Sequence, residues 1–353
     1  MNKLRFISRQ FVRFSSSNNI AFAFDIDGVL LRGSKPLNPY AKTALTLLDE
    51  HKVPYVLFTN GGGVSESDKI REVAKKLEYP TLTPGQIILS HSPFKKLTKS
   101  FSRVFVVGGK ADRCRRVALD YGFREVLISA DYIACNPGIA PFHKYHADDE
   151  LALDPKNSRV CASKDSINDP VDCILVFNDS WDSSADIQIV LDLLNSEHGK
   201  IGTFREGKYA RPSIPIYFSN GDFLWANDFK LPRFGQGGFK VQVEALYEKI
   251  NGVPLESTTL GKPERISYEF AHHVLCNWSG TTPDKVYMVG DNPNSDIHGA
   301  NAFGWESILV RTGVFKDSEI DYYDHLPTLG IFDNVETGVR KALEDNGIIG
   351  ASN

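Results

Sequence analysis

The run Ala21-Phe22-Ala23-Phe24-Asp25-Ile26-Asp27-Gly28-Val29-Leu30 constrains this chain more than any other stretch. Residues 21–24 are uncharged and β-compatible, the pattern of a buried parallel strand, and Asp25-Ile26-Asp27-Gly28 breaks that strand into a loop. An open α/β sheet keeps its ligand crevice at such strand ends. Two acidic side chains at one buried strand tip repel each other unless a cation or a proton offsets the charge, so the pair points to a metal site or an acid/base site. The same residues also read as an ordinary Asp-Gly turn, and the stretch alone leaves both readings open.

A chain of 353 residues, 42% of them hydrophobic and 24% charged, has enough material for a sizeable core and is expected to divide into two domains. Its formal net charge of -4 offers no basic footprint for nucleic acid, and no apolar run reaches the length of a membrane span, so neither is an expected partner. The five cysteines are odd in number and without C-x-x-C spacing, which fits reduced thiols in a non-secretory compartment.

Residues 1–20 differ from the rest. Lys3, Arg5, Arg9 and Arg13 precede the first acid, Asp25, while Leu4, Ile7, Phe11 and Val12 fall near one helical face and Ser15-Ser16-Ser17 follows. A basic, acid-free, amphipathic, serine-rich leader reads as a mitochondrial transit peptide rather than a secretory signal. A basic tail without fold is the alternative.

Past the first strand, residues 39–50 carry apolar residues at helical spacing and residues 53–58 form a second strand. That strand ends in Thr59-Asn60-Gly61-Gly62-Gly63, before the helix start Ser65-Glu66-Ser67-Asp68. A hydroxyl and several unobstructed N–H groups at a helix entrance make an anion cradle, although a glycine run alone reads equally as a flexible loop. Strands over 103–108, 172–177 and 214–218 alternate with helices over 112–120 and 185–195, and residues 144–170 are polar and irregular. Arg233-Phe234-Gly235-Gln236-Gly237-Gly238-Phe239 reads as a hinge leading back, before a helix through Val241, Val243, Leu246 and Ile250. The expected division is therefore a transit peptide over 1–20, a core domain over 21–85 and 238–353, and an inserted α/β domain over 86–237.

Lys262, between Gly261 and Pro263, reads by itself as a solvated lysine. It is followed by a third strand, Val286 to Gly290, with the acidic tip Asp291-Asn292-Pro293-Asn294-Ser295-Asp296. In a doubly wound sheet such tips can converge on one crevice.

With these four segments in order, the chain resembles the haloacid dehalogenase-like hydrolases. Asp25-Ile26-Asp27-Gly28-Val29 resembles their first motif, Thr59-Asn60-Gly61 the second, Lys262 the third, and Gly290-Asp291-Asn292 with Asp296 the fourth. Thr59 follows Asp27 by 32 positions, too few for a cap domain, whereas Lys262 follows Thr59 by 203, ample for the inserted set. That spacing is similar to the C2-capped branch, subclass IIA, and within it to the mitochondrial cat eye syndrome critical region protein 5 group. The resemblance implies a doubly wound, Rossmann-like parallel core with an inserted C2-type cap, and a Mg²⁺-dependent phosphomonoesterase.

In that reading Asp25 is the nucleophile that forms an aspartyl-phosphate, and Asp27 protonates the leaving oxygen and then deprotonates water. Thr59 with the Asn60 and Gly61 N–H groups binds phosphoryl oxygens, and Lys262 shields charge. Mg²⁺ is held by the Asp25 carboxylate, the Asp27 backbone carbonyl and the Asp291 carboxylate, with Asp296 orienting Lys262 or a metal-bound water. The substrate is a small phosphorylated metabolite in the mitochondrial matrix. Ser90-His91, Asn178-Asp179, Trp181-Asp182 and Trp225-Ala226-Asn227 could line the crevice but read as readily as packing or turn residues, as does His272-His273. A homodimer through the cap and a weakly catalytic binding or interaction protein, linked to glycerophospholipid metabolism, stay open as alternatives.

Overall fold

Ile20–Phe24 is a strand in which every residue is buried. It pairs in parallel with Lys285–Gly290 on one side and with Tyr55–Phe58 on the other. The computed structural model describes residues 19–144, 147–154, 166–206, 211–225, 231 and 233–351. Successive side chains of the strand point to opposite faces, which sets its sequence. Ala21 and Ala23 join Val286, Met288, Tyr268, Leu275 and Trp305 in one core cluster, whereas Phe22 stacks on Tyr287 with ring centroids 5.3 Å apart. With apolar cover on both faces, the strand has no polar alternation, as parallel sheets require. Each fully buried aromatic of this kind contributes about 1.5–3 kcal/mol.

The described residues divide into two compact units. The first comprises the chain up to Phe58, Ile70–Ile88 and Tyr268 onward. Its six-stranded sheet runs Gly330–Phe332, Glu306–Val310, Lys285–Gly290, Ile20–Phe24, Tyr55–Phe58, Ile87–Ile88, all parallel. From Ile20–Phe24 the chain winds outward one way through the next two strands, and from Lys285–Gly290 it winds outward the other way. The two middle strands therefore flank a topological switch point, where α/β sheets open a crevice beyond their C-terminal ends.

The second unit comprises Thr59–Lys69 and Leu89–Ser267. It has its own parallel sheet, in the order Thr258–Thr259, Ile216–Phe218, Cys173–Val176, Arg103–Val107, Glu125–Leu127. It too is doubly wound. Two buried clusters flank this sheet, one holding Phe105, Ile174 and Ile216, the other Val104, Val106 and Leu175.

The helix Gln236–Asn251 buries Phe239, Val243 and Tyr247 in the core of this second unit. It does not belong with the first unit, as the expected boundary at 238 had it, and the chain returns only between Ser267 and Tyr268. The hinge reading of residues 233–239 is corrected accordingly: Arg233–Phe234 pairs with Leu224–Trp225 and the helix begins at Gln236. Within the polar stretch 144–170, Ala147–Leu153 is helical. The leader lies outside the described residues except for Asn19 and Ile20, and Ile20 already belongs to the first strand. Among the described residues no helix is long and apolar enough to cross a membrane.

Candidate active site

The two middle strands of the first unit end side by side. Phe24 stands in register with Val289, and the Asp25 N–H donates to the Val289 carbonyl at 2.9 Å. Asp25 and Asp291 thus leave adjacent strands on the same edge of the sheet, and Asp296 returns to them from the π turn Pro293–Ile297. The three carboxylates are 7%, 5% and 1% exposed, and each offers an oxygen within 4.8 Å of the others. At an effective dielectric of about 20, two charges at that separation repel by roughly 3 kcal/mol, so three buried together need a cation or a proton. A donor set made only of hard oxygens suits Mg²⁺.

Glycines bring the backbone up to this cluster. A β-carbon on Gly28, whose φ is +86°, would stand 2.3 Å from Asp291 Oδ2, and one on Gly290 would stand 2.2 Å from Asp296 Cβ. Val314 donates its N–H to Asp291 Oδ2 at 2.7 Å, and Asn292 donates its N–H to Asp296 Oδ2 at 3.1 Å. Beneath them the Tyr268 hydroxyl donates to the Asp296 carbonyl at 2.9 Å. Burial first, then the charges of Asp296 and Asp25, hold that hydroxyl far above its ordinary pKa, so it stays a neutral donor. Asp27 lies on the turn after Asp25 and is exposed.

In the second unit, Thr59 is buried and its Oγ1 accepts from the Gly61 N–H at 3.1 Å, so the loop folds on itself. Lys262 is 2% exposed, a buried cation rather than the solvated lysine its flanking residues also allowed. Its backbone is tied to this loop: the Lys262 N–H donates to Asn60 Oδ1 at 2.7 Å, and Asn60 Nδ2 donates to the Lys262 carbonyl at 2.9 Å. Residues 202 positions apart in sequence are therefore joined through one carboxamide. The Asn60 side chain is engaged in this pair.

Other candidates separate clearly. His91 is fully buried, with Nδ1 2.8 Å from the Tyr121 hydroxyl, which donates to Glu66. A β-carbon on Gly62 would come within 2.8 Å of the His91 ring, so His91 backs the loop. Asn178 packs against Gly63 and Gly108, and Asp182 caps the helix Ser183–Asn195 through the Ala185 N–H. His272 and His273 contact Cys276 and Asn277 on their own helix. Trp225 is half exposed in the short hairpin, and residues 226–227 lie outside the described residues. The sequence reading missed Gly313 and Val314, which follow the strand Glu306–Val310; a small residue just past a strand end was the available signal.

A family profile described as haloacid dehalogenase-like hydrolase matches residues 22–124, and one described as HAD-hydrolase-like matches residues 259–337. A mitochondrial hydrolase of Saccharomyces cerevisiae is 45% identical over 353 residues, covering 94% of this chain and 97% of the relative. The chain belongs to the haloacid dehalogenase-like hydrolases. A cardiolipin synthase (CMP-forming) / mitochondrial hydrolase fusion protein of Schizosaccharomyces pombe is 37% identical over 347 residues, and the match takes in 95% of this chain but 56% of the fusion. Two solved structures share the haloacid dehalogenase-like fold. A possible sugar phosphatase of Cytophaga hutchinsonii has a TM-score of 0.62 at 20% identity, covering 90% of this chain and 94% of its own. A 4-nitrophenylphosphatase of Thermotoga maritima has a TM-score of 0.61 at 17% identity, covering 92% and 97%.

Proposed function

We propose that this hydrolase is a Mg²⁺-dependent phosphatase that cleaves a small phosphorylated metabolite through an aspartyl-phosphate. The observation that carries the reading is the buried trio Asp25, Asp291 and Asp296 at the switch point of the first unit. Family membership and the phosphatases among the structural neighbours support it further.

Asp25 is the nucleophile. One of its carboxylate oxygens bonds to phosphorus as the bond from phosphorus to the leaving oxygen breaks, and Asp27 gives that oxygen its proton. Asp27, now a carboxylate, takes a proton from water as the water oxygen attacks phosphorus and releases Asp25. Asp27 can recharge and discharge because it is exposed. The Asp25 and Asp291 carboxylates and the Asp27 backbone carbonyl would hold Mg²⁺, which would offset the repulsion between an anionic nucleophile and an anionic phosphate, with Asp296 orienting Lys262 or a metal-bound water. We assign Thr59 and the N–H groups of Asn60 and Gly61 to the phosphoryl oxygens, and Lys262 to the charge that develops on them. The inserted unit then selects the rest of the substrate.

The relatives named mitochondrial hydrolases support a mitochondrial location, for which the basic leader supplies a means. A fusion of residues 1–25 to a fluorescent reporter should enter mitochondria; diffuse cytosolic signal would refute the leader. For the activity, a panel of phosphorylated metabolites and p-nitrophenyl phosphate should yield inorganic phosphate with Mg²⁺ and none with Asp25→Asn. Silence of the parent across a broad panel would end the proposal.

A further inference from the structure

The turn Ser219-Asn220-Gly221-Asp222, at the end of the strand Ile216–Phe218, has no part in the chemistry above, yet it is wired into it. Asn60 Nδ2, which donates to the Lys262 carbonyl, also donates to Asp222 Oδ2 at 3.0 Å. Both hydrogens of the Asn60 amide are thereby used, and its oxygen receives the Lys262 N–H. Turned over, the amide would set its oxygen against a carboxylate and a carbonyl, so only one orientation is open to it. Asn220 Nδ2 donates to the Asn60 carbonyl at 3.1 Å, and Asn220 Oδ1 accepts the Asp222 N–H at 3.0 Å.

The turn is held from behind by the residues first read as a hinge. Gln236 Oε1 accepts the Asn220 N–H at 3.1 Å and Gln236 Nε2 donates to Ser219 Oγ at 3.0 Å. Ser219 Oγ in turn donates to the Phe177 carbonyl at 3.0 Å. Gly237 donates its N–H to the Asp222 carbonyl at 2.9 Å, and a β-carbon there would stand 2.4 Å from the Gly221 carbonyl oxygen. Ser219, Asn220, Gln236 and Lys262 are all buried. A buried polar network satisfied at every link rigidifies what it touches.

We propose that Asp222 is a positioning residue: through the Asn60 amide it fixes the backbone at Lys262, and so the point from which the buried ammonium extends. The kinetic side of this rests on the phosphatase reading of Lys262; the positioning itself does not.

Two measurements on the full chain test it. Amide hydrogen exchange reads the Lys262 and Asn60 segments directly. Asp222→Ala should speed exchange at the Lys262 N–H about tenfold, as expected for loss of one anchored hydrogen bond, while strand Arg103–Val107 keeps the parent rate. With p-nitrophenyl phosphate and Mg²⁺, the same variant should lose about 10- to 100-fold in kcat with KM within about threefold, the mark of an interaction felt in the transition state. Asp222→Asn keeps an oxygen that can accept from Asn60 and should restore both readouts to within about threefold of the parent. Parent-like exchange at Lys262 in Asp222→Ala overturns the proposal. So does Asp222→Asn as impaired as Asp222→Ala, which would make the charge, not the position, the operative feature. If the parent releases no phosphate, the phosphatase reading fails, and exchange alone still decides for or against Asp222.

Discussion

Gly313 lies so close to Asp291 that a β-carbon on it would stand 1.8 Å from Asp291 Oδ2, the oxygen that also accepts the Val314 N–H. Gly313→Ala must displace either the carboxylate or the loop. Support of this kind around a metal ligand is typically worth about 10- to 100-fold in metal affinity, so calorimetric titration with Mg²⁺ should show that loss. An affinity equal to the parent's would mean that Asp291 does not hold the cation.

Asp25→Asn should push activity and stability in opposite directions. Removing one charge from the trio relieves repulsion of order 1–3 kcal/mol in the metal-free protein, so its Tm should rise. Phosphate release should fall at least about 10³-fold, since an amide cannot form the proposed aspartyl-phosphate. A lower Tm in EDTA would show that the carboxylates do not repel one another in the folded state.

Mg²⁺ should stabilise the parent by mass action, about 2.7 kcal/mol at a hundred times its Kd. Asp291→Asn should respond much less, and EDTA should return the parent to its starting Tm. A shift of equal size in both proteins would place the cation elsewhere.

His91 gives the second unit a pH dependence with a definite sign. Burial holds its pKa down at about 4, with the charge of Glu66 opposing and that of Lys95 assisting. Folded His91 thus binds protons less readily than the unfolded chain, whose histidines titrate near about 6.5. Its contribution is full above about pH 6.5 and is lost as pH falls toward 4, by about 3 kcal/mol at most. Asp186, pushed up to about 6 by burial against the pull of the Ser129 and Ser180 hydroxyls, has the opposite sign. The clean measurement is therefore the difference between the parent and His91→Gln in denaturant midpoints from pH 7 to 4. That difference should shrink on acidification, and a constant difference would contradict a buried neutral His91.

The acidic strand ends were legible in the sequence because an apolar run that stops at a carboxylate shows both the strand and its tip. Asp25 from the first motif and Asp291 and Asp296 from the fourth each offer a carboxylate oxygen within 4.8 Å of the others. Ile87–Ile88 and Thr258–Thr259 were not legible, since two residues carry no period. The helix Gln236–Asn251 misled for a different reason. Of Val241, Val243, Leu246 and Ile250, read as its apolar positions, Val243 faces the core with Phe239 and Tyr247, while the other three are 52%, 43% and 48% exposed. Both sets run at helical spacing, and nothing local says which one has a partner. Asp222 and Gln236 escaped notice because a side chain that orients another residue has no motif of its own.

The strands that carry Asp25 and Asp291 are neighbours in the sheet although more than 260 positions separate them in the chain. A polypeptide that stops short of residue 291 lacks the second half of the pair, and a cut between the two strands leaves them joined only by non-covalent contacts. Sheet pairing, not proximity in the chain, sets the two carboxylates side by side, so a truncation that removes either strand removes the pair.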